Sequence, residues 1–177
     1  MTNDQIITDI REDFQRHSDP AIIEKYSRYF KDGYSGWGLP KGHFEAKVDE
    51  LLAIPGMDLK RVLELAGTLI SSPKYEEVSI PILMTIRLHK SWDHDTFRAV
   101  EGWFSKGINN WAHTDYISGE IISLFFKKKM VEMHDFESWR KAENKFQRRA
   151  AVVGLIKPMK LSTDFGPYFN FIDPMMM

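Results

Sequence analysis

A 177-residue chain with no cysteine can rely on neither disulfides, thiol nucleophiles, iron–sulfur clusters nor cysteine-held zinc. Its 43% hydrophobic and 28% charged residues suit a globular chain rather than a disordered one. A net charge of −1 excludes a protein that is basic all over. The length suits a single domain, taken here as residues 1–177. The polar start Met1-Thr2-Asn3-Asp4-Gln5 has no basic region leading into an apolar stretch. The longest apolar run, Ala150 to Ile156, is too short to cross a bilayer. A soluble, cytoplasmic monomer is expected.

Helical spacing recurs along almost the whole chain. Ser18-Asp19-Pro20 reads as a helix start, followed by Ile22, Ile23, Tyr26, Tyr29 and Phe30 on one stripe and a stop at Gly33. A loop rich in Gly and aromatics follows, Gly33 to Pro40, whose Tyr34 and Trp37 either pack the loop or touch a partner. A helix is predicted over 41–54, ended by Pro55-Gly56. Asp58 caps the next, with Leu59, Val62, Leu63, Ala66, Leu69 and Ile70 as its apolar stripe. Ser72-Pro73 starts another, which Pro81 should kink or shift, and Val78-Ser79-Ile80 reads locally as strand without a partner.

Further on, Asp93 or Asp95 begins a helix carrying Phe97, Val100, Trp103 and Phe104. Asn110 precedes a helix from Trp111 to Phe126. Asp135 to Ala142 is a short amphipathic piece, and Asn144 caps a helix from Lys145 to Ile156. Roughly nine helices with short connections predict an all-α fold, an α-solenoid of degenerate antiparallel helix pairs. Asp173-Pro174 announces a further helix just before Met177, so a last repeat is expected to be missing.

Two segments carry groups suited to chemistry. Trp111 and Asp115 stand at i and i+4 on one helix face, with Ser118 and Gly119 a turn later and Ile117, Ile121, Leu124 and Phe125 toward the core. The plainer alternative is an acid favouring a helix N-terminus beside a core Trp. In Asn144 to Val153, the residues Phe146, Ala150 and Val153 mark a core stripe. Arg149 lies at its edge and Arg148 points elsewhere. Such an Arg can aim a planar fork at phosphate or carboxylate, or form an ordinary salt bridge. From Lys127 to Lys160, ten Lys/Arg stand against four Asp/Glu, a local +6. That run is either a phosphate-binding face or a solvated charged surface. Six scattered histidines (17, 43, 89, 94, 113 and 134) form no HExxH motif or other close pair, so no metal site is predicted.

The segment Trp111-x-x-x-Asp115, followed about one helix pair later by Phe146-Gln147-Arg148-Arg149-Ala150-Ala151, resembles the AlkD-like DNA alkylation-repair glycosylases. The stretch Tyr29-Phe30-Lys31-Asp32-Gly33-Tyr34 and its Gly-rich loop are also similar to that family, and the likeness covers most of the chain. The resemblance implies HEAT-like repeats curved around duplex DNA. It also implies hydrolysis of the N-glycosidic bond of N3- and N7-alkylated purines without metal or cofactor. By the same resemblance, Trp111 and Asp115 are the active-site pair. Arg149 contacts DNA, with Arg148, Lys145 and Trp111 as further DNA-binding residues. Phe146 stands where the family usually has Trp. A further repeat with a DNA-facing aromatic is implied beyond Met177, and its loss is expected to weaken activity. The protein would associate with the nucleoid when on DNA. The alternative function is a non-enzymatic helical-repeat scaffold for DNA or protein. Convergence of Asp115, Trp111 and Arg149 in a basic groove favours the enzyme, and an exposed capping Asp115 on the convex side favours the scaffold.

Overall fold

Ile6, Ile7, Ile10 and Phe14 fall on one stripe, and burying them makes a helix of the first residues, one more than the expected set. The computed structural model describes residues 1–31 and 33–176 and has no strand among them, so the expected all-α helical-repeat class holds. Of the Tyr29–Tyr34 stretch, Asp32 lies outside the described residues, as does Met177 at the chain end. By its internal contacts the chain divides into two units, Met1–Trp92 and Asp93–Met177. No helix among the described residues is long and apolar enough to cross a membrane.

The first unit opens with α1 (Asn3–Arg16), started by a capping box. Gln5 N–H donates to Thr2 Oγ1 at 3.3 Å, and Thr2 N–H donates to Gln5 Oε1 at 2.8 Å. Asp19 caps α2 (Pro20–Ser27) by accepting from Ala21 N–H, as its cap-proline pair predicted. Contrary to expectation, α2 buries no residue fully. Tyr26 of α2 and Phe30 just beyond it meet the following loop, their rings 6.1 and 5.1 Å from that of Tyr34.

The helices α3 (Lys41–Leu52), α4 (Leu59–Leu69) and α5 (Tyr75–Arg87) complete this unit, with Ile10, Phe14, Val48, Leu51, Leu65 and Ile80 at its core. Asp58 caps α4 as expected, accepting from Arg61 N–H at 2.9 Å, while Leu65 rather than Leu63 is fully buried. Val78-Ser79-Ile80 is helical, not extended, because burial of the α5 stripe outweighs β-branched propensity. Pro81 sits inside α5 and neither starts nor ends it. Lys47 is buried, with Nζ 2.6 Å from Asp9 and 2.9 Å from Glu50. Burial opposes its charge, but hydrogen bonds to those two carboxylates prevail and hold its pKa above the ordinary lysine value.

The loop from Gly33 to Pro40 is organised by two buried acids of α5. Glu76 accepts from the backbone N–H groups of Trp37 (2.8 Å), Gly38 (2.9 Å) and Leu39 (3.4 Å) and from Tyr34 Oη (3.2 Å). Glu77 accepts from Trp37 Nε1 at 3.3 Å and from Arg11 Nε at 3.1 Å. Burial, then the Glu76 carboxylate, push the Tyr34 phenol far above its ordinary pKa. Gly38 has φ +72°, and a Cβ there would strike the Asp19 carbonyl, so the loop requires glycine at that position. Of the two roles weighed for Tyr34 and Trp37, this geometry favours loop packing. Glu76→Gln places an amide donor among donors and is expected to cost about 1.5–3 kcal/mol. The measurement is a urea melt with hydrogen exchange. The midpoint should fall, and the amides of 37–39 should lose protection first. An unchanged midpoint would mean that the acid does not hold the loop.

In the second unit, Asp93 rather than Asp95 caps α6 (His94–Lys106), accepting from Thr96 N–H at 2.8 Å. Hydrogen bonds from Thr96 hold the Asp93 carboxyl below the usual carboxylate range. The amphipathic piece at 135–142 becomes two 3-10 turns, Met133–Phe136 and Trp139–Lys141, which plant Phe136 and Trp139 in the core. Trp139 is fully buried, stacked on Phe97 at 5.7 Å, and donates Nε1–H to Glu101 at 2.7 Å. The helix expected to run to Ile156 ends earlier: α9 is Lys145–Val153, and a separate α10 (Ile156–Lys160) follows through Pro158. Beyond them lie α11 (Gly166–Ile172) and, at Asp173-Pro174, a single 3-10 turn.

Candidate active site

Asn110 builds the first half of the site. Its Oδ1 accepts from His113 N–H at 2.9 Å and starts α7 (Trp111–Tyr116). The helical run continues through a π turn, Ile117–Ile122, into α8 (Ser123–Lys127). Small hydroxyls bond along this run: Thr114 to the Asn110 carbonyl at 2.7 Å, Ser118 to that of Thr114 at 2.6 Å, and Ser123 to that of Ser118 at 2.9 Å. Nothing in the side-chain spacing announces a π turn, a geometry frequent at functional sites. It also corrects the expected face. Ser118 is buried, whereas Trp111 and Tyr116 are exposed and Asp115 and Gly119 half-buried. His113, two residues before Asp115, is buried and lies off that face.

Asn144 builds the second half. It caps α9 by accepting from Phe146 N–H at 2.8 Å. It also donates Nδ2–H to the carbonyls of Phe104 (2.7 Å) and Ile108 (3.1 Å), which fixes where α9 begins. Sequence reading found only the cap. The second role needs the tertiary fold, because the carbonyls come from the end of α6 and the loop after it. At the other end, a Cβ on Gly154 would lie 2.5 Å from Ile122 Cγ2, so glycine lets α9 close on the π turn.

These two anchors bring Arg149 to Asp115. Nε lies 2.6 Å from Oδ1 and Nη2 2.7 Å from Oδ2, a bidentate fork across 34 positions of sequence. The Asp115 side chain keeps 33% of its surface in solvent and that of Arg149 keeps 47%, so the pair sits at an open surface. The hydrogen bond to Asp115 outweighs partial burial and raises the Arg149 pKa above its ordinary value. Trp111, one turn before Asp115, is 45% exposed, which removes the reading of a core Trp. One turn past Asp115, Gly119 lines an open groove of about 630 Å³ with Lys157, Phe126, Leu161 and Tyr168.

The other basic residues are held differently. Arg148 donates to the carbonyls of Ala142 (2.6 Å) and Glu143 (2.9 Å) and so braces the chain before α9. Lys145 is exposed, its Nζ 5.0 Å from the Phe146 ring. Phe146 itself is only half-buried, so the core stripe of α9 runs through Ala150 and Ala151 instead. Arg140 is taken up by Glu137 and by the Phe171 carbonyl at 2.9 Å. Lys157 donates to the Gly119 carbonyl at 2.6 Å and to Glu120 at 3.2 Å. The +6 stretch is thus partly structural, with Lys127, Lys129, Lys141, Lys145 and Lys160 exposed.

The described elements are all helical, as in a helical-repeat protein, and an acid–arginine pair and a tryptophan lie at its open surface. The family model described as DNA alkylation repair enzyme matches residues 10–176, and the chain belongs to that family. No curated protein and no solved structure is detectably similar to it.

Proposed function

We propose that the protein is a DNA glycosylase that releases cationic N3- and N7-alkylpurines from duplex DNA. The observation that carries this reading is the Asp115–Arg149 fork one helical turn from an exposed Trp111, in a chain of the DNA alkylation repair family. An alkylated purine cation leaves as a neutral base, so its departure needs little acid help. The C1′–N bond breaks with its electron pair going to the base, and the sugar gains oxocarbenium character. The Asp115 carboxylate stabilises that charge and orients the water whose oxygen bonds to C1′, the water's proton passing to solvent. Trp111 packs on the nucleotide and attracts the cationic lesion. Arg149, with the exposed Lys145, meets backbone phosphate, while Arg148 keeps α9 in place.

The direct test is release of N7-methylguanine from alkylated duplex DNA. Release above the spontaneous rate supports the glycosylase, and salt-sensitive binding without release supports a scaffold. Arg149→Ala is expected to weaken duplex binding on any sequence and to reduce the log–log salt slope by about 0.9. Unchanged affinity and slope would make Arg149 purely a partner of Asp115.

A further inference from the structure

In the first unit, far in sequence from the proposed active site, α1 and α3 bring together Asp13, His17 and His43. Asp13 and His17 share a face at i and i+4 at the C-terminal end of α1, and His43 stands in the first turn of α3. Sequence spacing alone kept the two histidines 26 positions apart. Packing joins them: their rings stack with centroids 4.0 Å apart and planes at 28°. His43 Nε2 lies 2.8 Å from Asp13 Oδ2, and His17 Nδ1 lies 3.3 Å from Asp13 Oδ1. One ligand atom from each residue falls within 4.8 Å of the other two.

The surroundings fix this trio. Phe14, next to Asp13, is fully buried, and its ring lies 6.3 Å from that of Phe44, next to His43. One turn away, Lys47 of α3 reaches Asp9 of α1. The Asp13 side chain keeps only 13% of its surface in solvent, while His43 keeps 28% and His17 47%. An ion can therefore enter from the histidine side and keep water there. Arg16 approaches Asp13 only to 3.9 Å and is itself exposed.

We propose that Asp13, His17 and His43 form a binding site for a borderline divalent transition metal such as zinc. Imidazole and carboxylate bind zinc at about 2.0–2.2 Å, which sets neighbouring donor atoms roughly 3.3 Å apart in a tetrahedral set. The contacts of 2.8 and 3.3 Å lie at or just under that spacing, so small outward shifts, with His17 Nδ1 leaving the Asp13 carbonyl it meets at 2.8 Å, admit the ion. With both rings neutral the trio carries one negative charge, and a divalent cation relieves it. Two imidazoles select zinc, cobalt, nickel or copper over magnesium and calcium. Three protein ligands leave a fourth position for water. The site is remote in sequence from Asp115 and is independent of the glycosylase reading.

The test uses the whole chain, cobalt(II) as the spectroscopic probe and zinc as its competitor. Cobalt is expected to bind one ion per chain with a visible d–d band, zinc to displace it, and magnesium to have no effect. His17→Ala and His43→Ala should each weaken binding at least about 10- to 100-fold, a ligand mattering no less than its outer-shell support. His134→Ala serves as the control, since His134 lies beside Glu132 and Asp135 without a second histidine, and it should change nothing. His17 is the more exposed ring, so His17→Ala decides the matter if His43→Ala does not fold. The absence of one-to-one binding, or binding unaltered in His17→Ala, overturns the site.

Discussion

Asp115→Asn is expected to slow single-turnover release of N7-methylguanine by about 100- to 1,000-fold, the usual cost of one lost electrostatic contact to a developing charge. The substitution keeps the shape of the side chain and removes its negative charge. In the structure that charge is held by the Arg149 fork at 2.6 and 2.7 Å. A carboxylate so held is pre-oriented, but its partner also neutralises part of its field. In the proposed mechanism, phosphate draws Arg149 away and leaves the full charge of Asp115 facing the sugar. Duplex affinity should therefore hold or rise in Asp115→Asn, because an acid that competes with phosphate for Arg149 has been removed. Rate and affinity measured on the same duplex separate the two roles. Equal excision rates for the wild type and Asp115→Asn would refute catalysis by this residue. Efficient excision of a neutral lesion would reveal a general acid elsewhere.

Trp139→Ala is expected to destabilise the second unit by about 3–5 kcal/mol, the range for removing a large aromatic from a core. Trp139 is fully buried against Phe97, Phe104 and Phe136, with ring centroids 5.7, 5.2 and 4.9 Å away. Truncation opens a cavity among these rings and takes the indole donor, 2.7 Å away, from Glu101, which keeps its ion pair with Arg98. Thermal and urea melts of the whole chain measure the loss. Trp139→Phe keeps most of the volume and gives up the hydrogen bond, so it should cost clearly less. A cost below about 1 kcal/mol for Trp139→Ala would place the stability of this unit elsewhere.

Much of the fold was legible because helix signals are local. Asp19-Pro20, Asp58, Asn110 and Asn144 all cap the helices they announced, since a side-chain oxygen two or three residues before a free N–H needs no distant partner. The N-terminal helix is equally local, in the Thr2–Gln5 capping box and the Ile6, Ile10 and Phe14 stripe. The Trp111–Asp115 spacing and Arg149 were legible as pieces for the same reason. Their union was not, because the fork depends on Asn144 holding the carbonyls of Phe104 and Ile108 and on Gly154 meeting Ile122.

By itself the sequence determined the helical class, the capped helix starts at Asp19, Asp58, Asn110 and Asn144, and the residue types available for chemistry. Tertiary structure decided which of them meet. It placed Ser118 inside and Trp111 outside and set a π turn at Ile117–Ile122, because the ladder of hydroxyl bonds along that helix has no signature in hydrophobic spacing. It turned Arg148 inward to brace a loop while its neighbour Arg149 reached an acid, a choice fixed by where neighbouring carbonyls and carboxylates lie in space. It also stacked His17 on His43, since the packing of Phe14 near Phe44 brings two helices to a distance that no local pattern encodes.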